Sequence, residues 1–322
     1  CRWSAGVRMF SIEVPVYAHP VSVLNGIMRR RGISISLYGG YPDSSLNGGR
    51  MNFCLDGYIS IGRILAPETE ENRKARSNLL AGAQTDYLER IETANRHRIA
   101  FNLAFTNYFV EPGELDEARL APLDRLVESG ARHQMRNGVI VANLTLENYL
   151  RKRYADALLY ISSCTKYVVP ERLLTLSEAM RLYRRDMDRY DLVVLTPQHS
   201  RNARVLRAMA TLGSDKVVAI CNSYCAATCN SYWHYEMIAR HNKKSLLDYS
   251  ADDLAAAAAA FQARYPKCTA LKQAGRKMNV AQRVKRQLQA GITHFKVGRG
   301  FGDNCLEELV DLLPRSSNPK SL

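Results

Sequence analysis

Apolar, β-branched runs recur along this chain, most of them preceded by a helical stretch, and that alternation restricts its possible folds more than any single motif. GISISLYGG (32–40) alternates as a half-buried strand and stops in a glycine turn. RIAFNLAFTN (98–107) follows a helical segment around 86–96, and NGVIVAN (137–143) follows another around 114–129. ALLYISSC (157–164), DLVVLTPQ (191–198), KVVAICNSY (216–224) and GITHFKVGR (291–299) follow LENYLRKRYA, LSEAMRLYRRDMDRY, ARVLRAMATLG and AQRVKRQLQA. Strands alternating with helices build right-handed βαβ units and a parallel sheet. Seven strands are clear, and an eighth is expected from FSIEVPVYA (10–18) or GYISIGRI (57–64). Eight units in 322 residues predict an α/β fold, a single (β/α)8 TIM-like barrel, whether regular, irregular or incomplete, over residues 1–314. A long loop near 41–71 would cover its mouth, and 315–322 would be a frayed tail. The alternative is an open doubly wound sheet, but no GxGxxG or GxxxxGK[ST] stretch accompanies it, and VGRGFG (297–302) misses both patterns.

The 46% hydrophobic content suffices for a substantial core. No run of apolar residues approaches the length of a membrane span, so no membrane association is expected. The chain starts CRWSAGVRMF, without methionine or a signal-peptide apolar region, which suggests a processed or truncated start. Eight cysteines are too dilute for a disulfide scaffold, so a reducing, cytoplasmic setting is expected, with thiols and metal sites favoured over disulfides. The net charge of +14 favours phosphate-rich partners such as RNA or DNA. RRRG (29–32), RKR (151–153) and GRKMNVAQRVKR (275–286) supply much of it, although such stretches are usually solvated helix faces.

In a parallel barrel the catalytic face is at the C-terminal strand ends. CNSYCAATC begins there, as KVVAI ends, and places Asn222, Tyr224, Cys225 and Cys229 at that face. Convergent thiolates suit zinc, copper(I) or iron–sulfur centres, and Cys268 would complete the set from a distance. Cys225-x3-Cys229 is neither the C-x2-C of zinc ribbons nor C-x3-C-x2-C, so unligated thiols at a helix start are the competing reading. Cys221 reads more as core, Cys54 lies on the early loop, Cys164 ends its own strand, and His234 follows the run. Asn102 lies in its strand run, and Asn143, Ser163, Gln198 and His199 close or follow theirs, where caps and turns need polar residues anyway. Lys296 differs: a lysine between Phe295 and Val297 is costly to bury unpaired. With Arg299, which can form two parallel hydrogen bonds, it would orient an anionic group. In YPDSSLNGGR (41–50), Gly48 and Gly49 would let backbone approach a ligand closely, or simply form a surface turn. No Ser-His-Asp arrangement or HExxH motif is evident.

Three of these stretches together resemble a family. NSYCAATCNSYWHYEMIAR, the late strand GITHFKVGR and the early YPDSSLNGGR loop are similar to the collagenase-like peptidase superfamily, over roughly residues 30–312. The chain most resembles its branch of oxygen-independent hydroxylation proteins acting on ubiquinone precursors or ribosomal RNA. The resemblance implies a TIM-like barrel with a [4Fe–4S] cluster held by four cysteines, two of them closely spaced. Cys225 and Cys229 match that pair, Cys268 is the third ligand it suggests, and the fourth is open between Cys54 and Cys221. This chain reads FKVGR where the family has FKIEGR, and it lacks the C-terminal extension of the peptidase-named branch. The expectation is thus an iron–sulfur enzyme modifying a nucleic acid or aromatic substrate, with or without a partner subunit. The alternatives are a zinc site or a non-catalytic, nucleic-acid-associated barrel.

Overall fold

The structure, a computed structural model, describes residues 9–48, 69–169, 172–223, 280–298 and 305–314, with residues 245, 247, 248, 250, 252, 253, 256, 259 and 263 between them. Eight strands close into a barrel in chain order: β1 (Ser11–Pro15), β2 (Ser34–Gly39), β3 (Ala100–Phe105), β4 (Gly138–Val141), β5 (Leu159–Ser162), β6 (Leu192–Val194), β7 (Val217–Ile220) and β8 (His294–Lys296). All pairings are parallel, and closure pairs Glu13 of β1 with Lys296 of β8 and with Ser36 of β2. Helices alternate with the strands: α1 (Val21–Arg31), α2 (Glu70–Arg96), α3 (Glu117–His133), α4 (Leu144–Tyr154), α5 (Leu176–Met187), α6 (Ala203–Gly213), α7 (Val280–Gln289) and α8 (Cys305–Leu312). The predicted (β/α)8 barrel is therefore the observed one. Its first strand is the 10–18 run, while 57–64 lies outside the described residues.

The strands alternate in side-chain direction, as the two-residue period requires. Ile12, Val14, Leu37, Phe101, Leu103, Val139, Val193, Val217 and Phe295 belong to the large core shared by sheet and helices. Tyr38, Ala104, Ile140, Ile161, Val194, Val218 and Ile220 form a separate cluster inside the barrel. No helix among the described residues is long and apolar enough to cross a membrane.

Three local features depart from the sequence reading or sharpen it. Helix α2 runs for 27 residues, well before the expected start near 86, because Thr69 caps it by accepting from Asn72 N. Its polar opening hides an apolar stripe of Leu80, Ala83, Tyr87, Ile91 and Ala94, all buried. Residues 41–48, expected as part of a loop over the mouth, are pinned to the end of β3: Asn107 N donates to Leu46 O at 3.0 Å and Asn107 Nδ2 to Ser45 O at 2.8 Å. Gly48 does permit a close approach, but to this chain itself, since a Cβ there would lie 2.5 Å from Thr106 Oγ1. In 251–265 the described residues are helical, and Ser250 and Asp253 cap that helix reciprocally, as its sequence implies.

Candidate functional site

The barrel interior has two unlike walls. Strands β4 to β7 present Ile140, Ile161, Val194, Val218 and Ile220, all apolar. Strands β8, β1, β2 and β3 present Lys296, Glu13, Ser36 and Asn102, which bond to one another across four strands. Lys296 Nζ donates to Glu13 Oε2 at 2.5 Å. Asn102 Nδ2 donates to the other carboxylate oxygen, Oε1, at 2.7 Å and to Ser36 Oγ at 3.3 Å. The ammonium of Lys296 lies 3.4 Å from the centroid of the Tyr38 ring, a cation–π contact. That ring is held in place because Tyr38 OH donates to Val297 O at 2.6 Å.

Burial makes this arrangement consequential. The Glu13 and Lys296 side chains are 3% and 12% exposed. An ion removed from water in this way is costly without a partner, and the pair is complete only because β1 and β8 meet on closure. Asn102 is positioned by a gap on the neighbouring strand: a Cβ on Gly138 would lie 2.4 Å from Asn102 Oδ1. That Oδ1 is buried and has no hydrogen-bond partner among the described residues.

A second set lies at the C-terminal end of β6. Tyr183 OH accepts from Thr196 N at 3.1 Å and shares a hydrogen bond with His199 Nδ1 at 2.8 Å. His199 stands beside a cleft lined by Tyr167, Thr196 and Gln198. Burial pushes the His199 pKa down and the Tyr183 pKa up.

Of the residues singled out from sequence, Lys296, Asn222 and Cys221 come together at the ends of β7 and β8. Asn222 faces backbone: Nδ2 donates to Gly298 O at 3.2 Å and Oδ1 accepts from Gly298 N, a clamp between the two strand ends. Cys221 is fully buried in the sheet–helix layer, and its Sγ donates to Lys296 O at 3.2 Å. A hydrogen bond with the Cys305 thiol, reinforced by burial, raises its pKa well above the ordinary thiol value. Asn143 is the α4 cap, with Oδ1 accepting from Leu146 N at 3.0 Å. Cys164 packs against the interior cluster. Tyr224, Cys225, Cys229, Cys268, Cys54, His234 and Arg299 lie outside the described residues. Among the described residues, no group of three or more His, Cys, Asp or Glu is placed to hold a metal ion.

The sequence reading missed Glu13. Its signal was present: a single acid in the apolar run FSIEVPVYA is as costly to bury unpaired as Lys296, and the same argument applied to both would have paired them. Asn102 carries the same signal, a polar side chain inside the apolar run AFNLAF. Comparison of the chain with protein-family models and with curated proteins finds no match.

Proposed function

We propose that this chain is an iron–sulfur-dependent barrel enzyme that modifies a nucleic acid or aromatic substrate without molecular oxygen. The observation that supports an enzyme over a scaffold is the Glu13–Lys296 pair inside the barrel, joined to Asn102 and facing an apolar wall. A barrel serving only as a scaffold is better filled by aliphatic side chains, since buried ion pairs seldom add stability over well-packed apolar replacements. Glu13 and Lys296 suit proton transfer, because acid and base are already in contact.

The cluster reading is supported by the resemblance of the cysteine run and of GITHFKVGR to the collagenase-like peptidase superfamily. Cys225, Cys229 and Cys268 would be ligands, with Cys54 as the fourth, because Cys221 is turned into the sheet–helix layer and its thiol already bonds Lys296 O and Cys305. A donor set of thiols is chemically suited to such a centre. When bound, a [4Fe–4S] cluster supplies electron transfer and, with one iron open, a Lewis acid. The excess of 45 Lys and Arg over 31 Asp and Glu favours a polyanionic substrate.

The test is iron, zinc and acid-labile sulfide content after strictly anaerobic purification, with a visible spectrum of the same sample, for the native chain and Cys225→Ser. A brown protein with about four irons and four sulfides, lost in the variant, is expected. Zinc without sulfide would move the site to a structural role. No metal after attempted reconstitution would sink the cluster reading.

A further inference from the structure

Lys296 is, among the described residues, the one lysine that projects into the barrel, and its surroundings differ from those of an anion-binding lysine. Its charge is already matched by Glu13 Oε2 at 2.5 Å, so the pair presents no net charge to an incoming anion. What the pair does present is an amine in contact with a base. Asn102 holds the far oxygen of Glu13 at 2.7 Å, which aims the near oxygen at Nζ. The Tyr38 ring supports the ammonium from the other side, 3.4 Å from its centroid. The side chain is 12% exposed and stands at the C-terminal end of β8, the end at which barrels of this kind bind substrate. A lysine beside a carboxylate that can take its proton is an amine with its general base already in place, which is what attack on a carbonyl carbon requires.

We infer that Lys296 forms an imine with a small aldehyde or ketone that reaches its Nζ from the C-terminal mouth of the barrel, where Lys296 keeps 12% exposure and Ile220 8%. The Lys296 ammonium gives one proton to Glu13, and the freed nitrogen lone pair attacks the carbonyl carbon. The C–N bond forms as the C=O π pair moves to oxygen. That oxygen takes a second proton from nitrogen and then the proton held by Glu13. The C–O bond breaks, water leaves, and the nitrogen lone pair closes the C=N bond of a cationic iminium. One ammonium and one carbonyl compound thus give one iminium and one water, with Glu13 returned to its starting state and no oxidant or reductant consumed. Neither iron nor the identity of the modified substrate enters this step, so it stands or falls apart from the function proposed above.

The full-length protein is incubated with propanal and sodium cyanoborohydride, which reduces iminium ions to stable secondary amines, and alkylated lysines are followed by peptide mass spectrometry. Lys296 is expected to label ahead of exposed Lys74, Lys152 and Lys285 by about a hundredfold, the low end of general acid–base assistance. Glu13→Gln is expected to remove that lead while leaving the exposed lysines unchanged. Because the wild-type rates suffice, the test survives a variant that folds poorly. Labelling of Lys296 no faster than that of the exposed lysines overturns the inference. A lead retained in folded Glu13→Gln overturns the role given to the carboxylate.

Discussion

Replacing both members of the interior pair should be far less harmful than replacing either. Lys296→Met leaves Glu13, 3% exposed, with only the Asn102 amide for company. Removing one partner of a buried pair costs about 3–5 kcal/mol. Asn102 remains as a donor, so the lower end, about 3 kcal/mol, is expected. Glu13→Leu takes the carboxylate from the Lys296 ammonium but leaves it the Tyr38 ring and 12% exposure to water, so about 2–3 kcal/mol is expected there. In the double variant Glu13→Leu/Lys296→Met neither charge needs solvation, and the apolar wall opposite offers contacts to both new side chains. What remains is one amide N–H of Asn102 with a weaker partner in Ser36, worth about 1 kcal/mol. The double variant should lie within about 1 kcal/mol of the native chain, a coupling of roughly 4 kcal/mol in a double-mutant cycle. Thermal unfolding followed by circular dichroism reads this directly: at this chain length each kcal/mol moves Tm by about 2 °C. The single variants should fall by about 4–6 °C and the double by about 2 °C or less. A double variant that falls by the sum of the singles would refute the reasoning, because the pair would then be holding the barrel together.

Gly138→Ala would drive a methyl to 2.4 Å from Asn102 Oδ1, so Asn102 must turn from Glu13. A loss of about 2–4 kcal/mol is expected from overpacking plus a charge-assisted hydrogen bond, measured by chemical denaturation, and retained stability would show that Asn102 has another place to go. Asn137→Leu removes the side chain that accepts from Phe101 N at 2.9 Å and donates to Asn95 Oδ1 at 2.7 Å. It leaves buried polar groups on α2 and β3 unpaired, so about 2–4 kcal/mol is expected from the same measurement. Acid stability should depend on Glu92, whose carboxyl is lowered to about 2, first by its hydrogen bond with His133 and also by Arg132. A depressed carboxyl contributes stability that is fully present above its unfolded value, about 4.5, and is lost as pH falls toward 2. Glu92→Gln should therefore lower Tm at about pH 6 and match the native chain near pH 2, and equal Tm values at both would contradict the assignment.

The architecture was legible because each strand carries its own label. KVVAI, LVVL and GVIVA are short, β-branched and flanked by helical periodicity, and the parallel order follows from that alternation alone. The start of α2 was not legible, because its first turns are polar and only tertiary contacts such as Tyr87 OH to Gly39 O, 2.7 Å, reveal the buried stripe. The setting of Gly48 was half legible: the need for close approach was readable, but the approaching atom, Thr106 Oγ1, is 58 residues away in the chain. The candidate site was the least legible part. Lys296 stood out by its cost in a β-run, yet its partner lies 283 residues earlier, and only closure of β1 on β8 puts the two in register. Asn102 lies inside the apolar run AFNLAF, where a polar side chain is as costly to bury as Lys296, whereas Asn143 follows its strand; one holds a carboxylate inside the barrel and the other caps a helix.

The central claim, an iron–sulfur enzyme built on this barrel, is tested most directly by anomalous scattering from crystals of anaerobically purified protein, recorded on both sides of the iron and zinc absorption edges. The account predicts an iron signal, absent below the iron edge, bound by the sulfurs of Cys225, Cys229 and Cys268. A signal that appears only above the zinc edge, or those three sulfurs far apart with no metal between them, would contradict it.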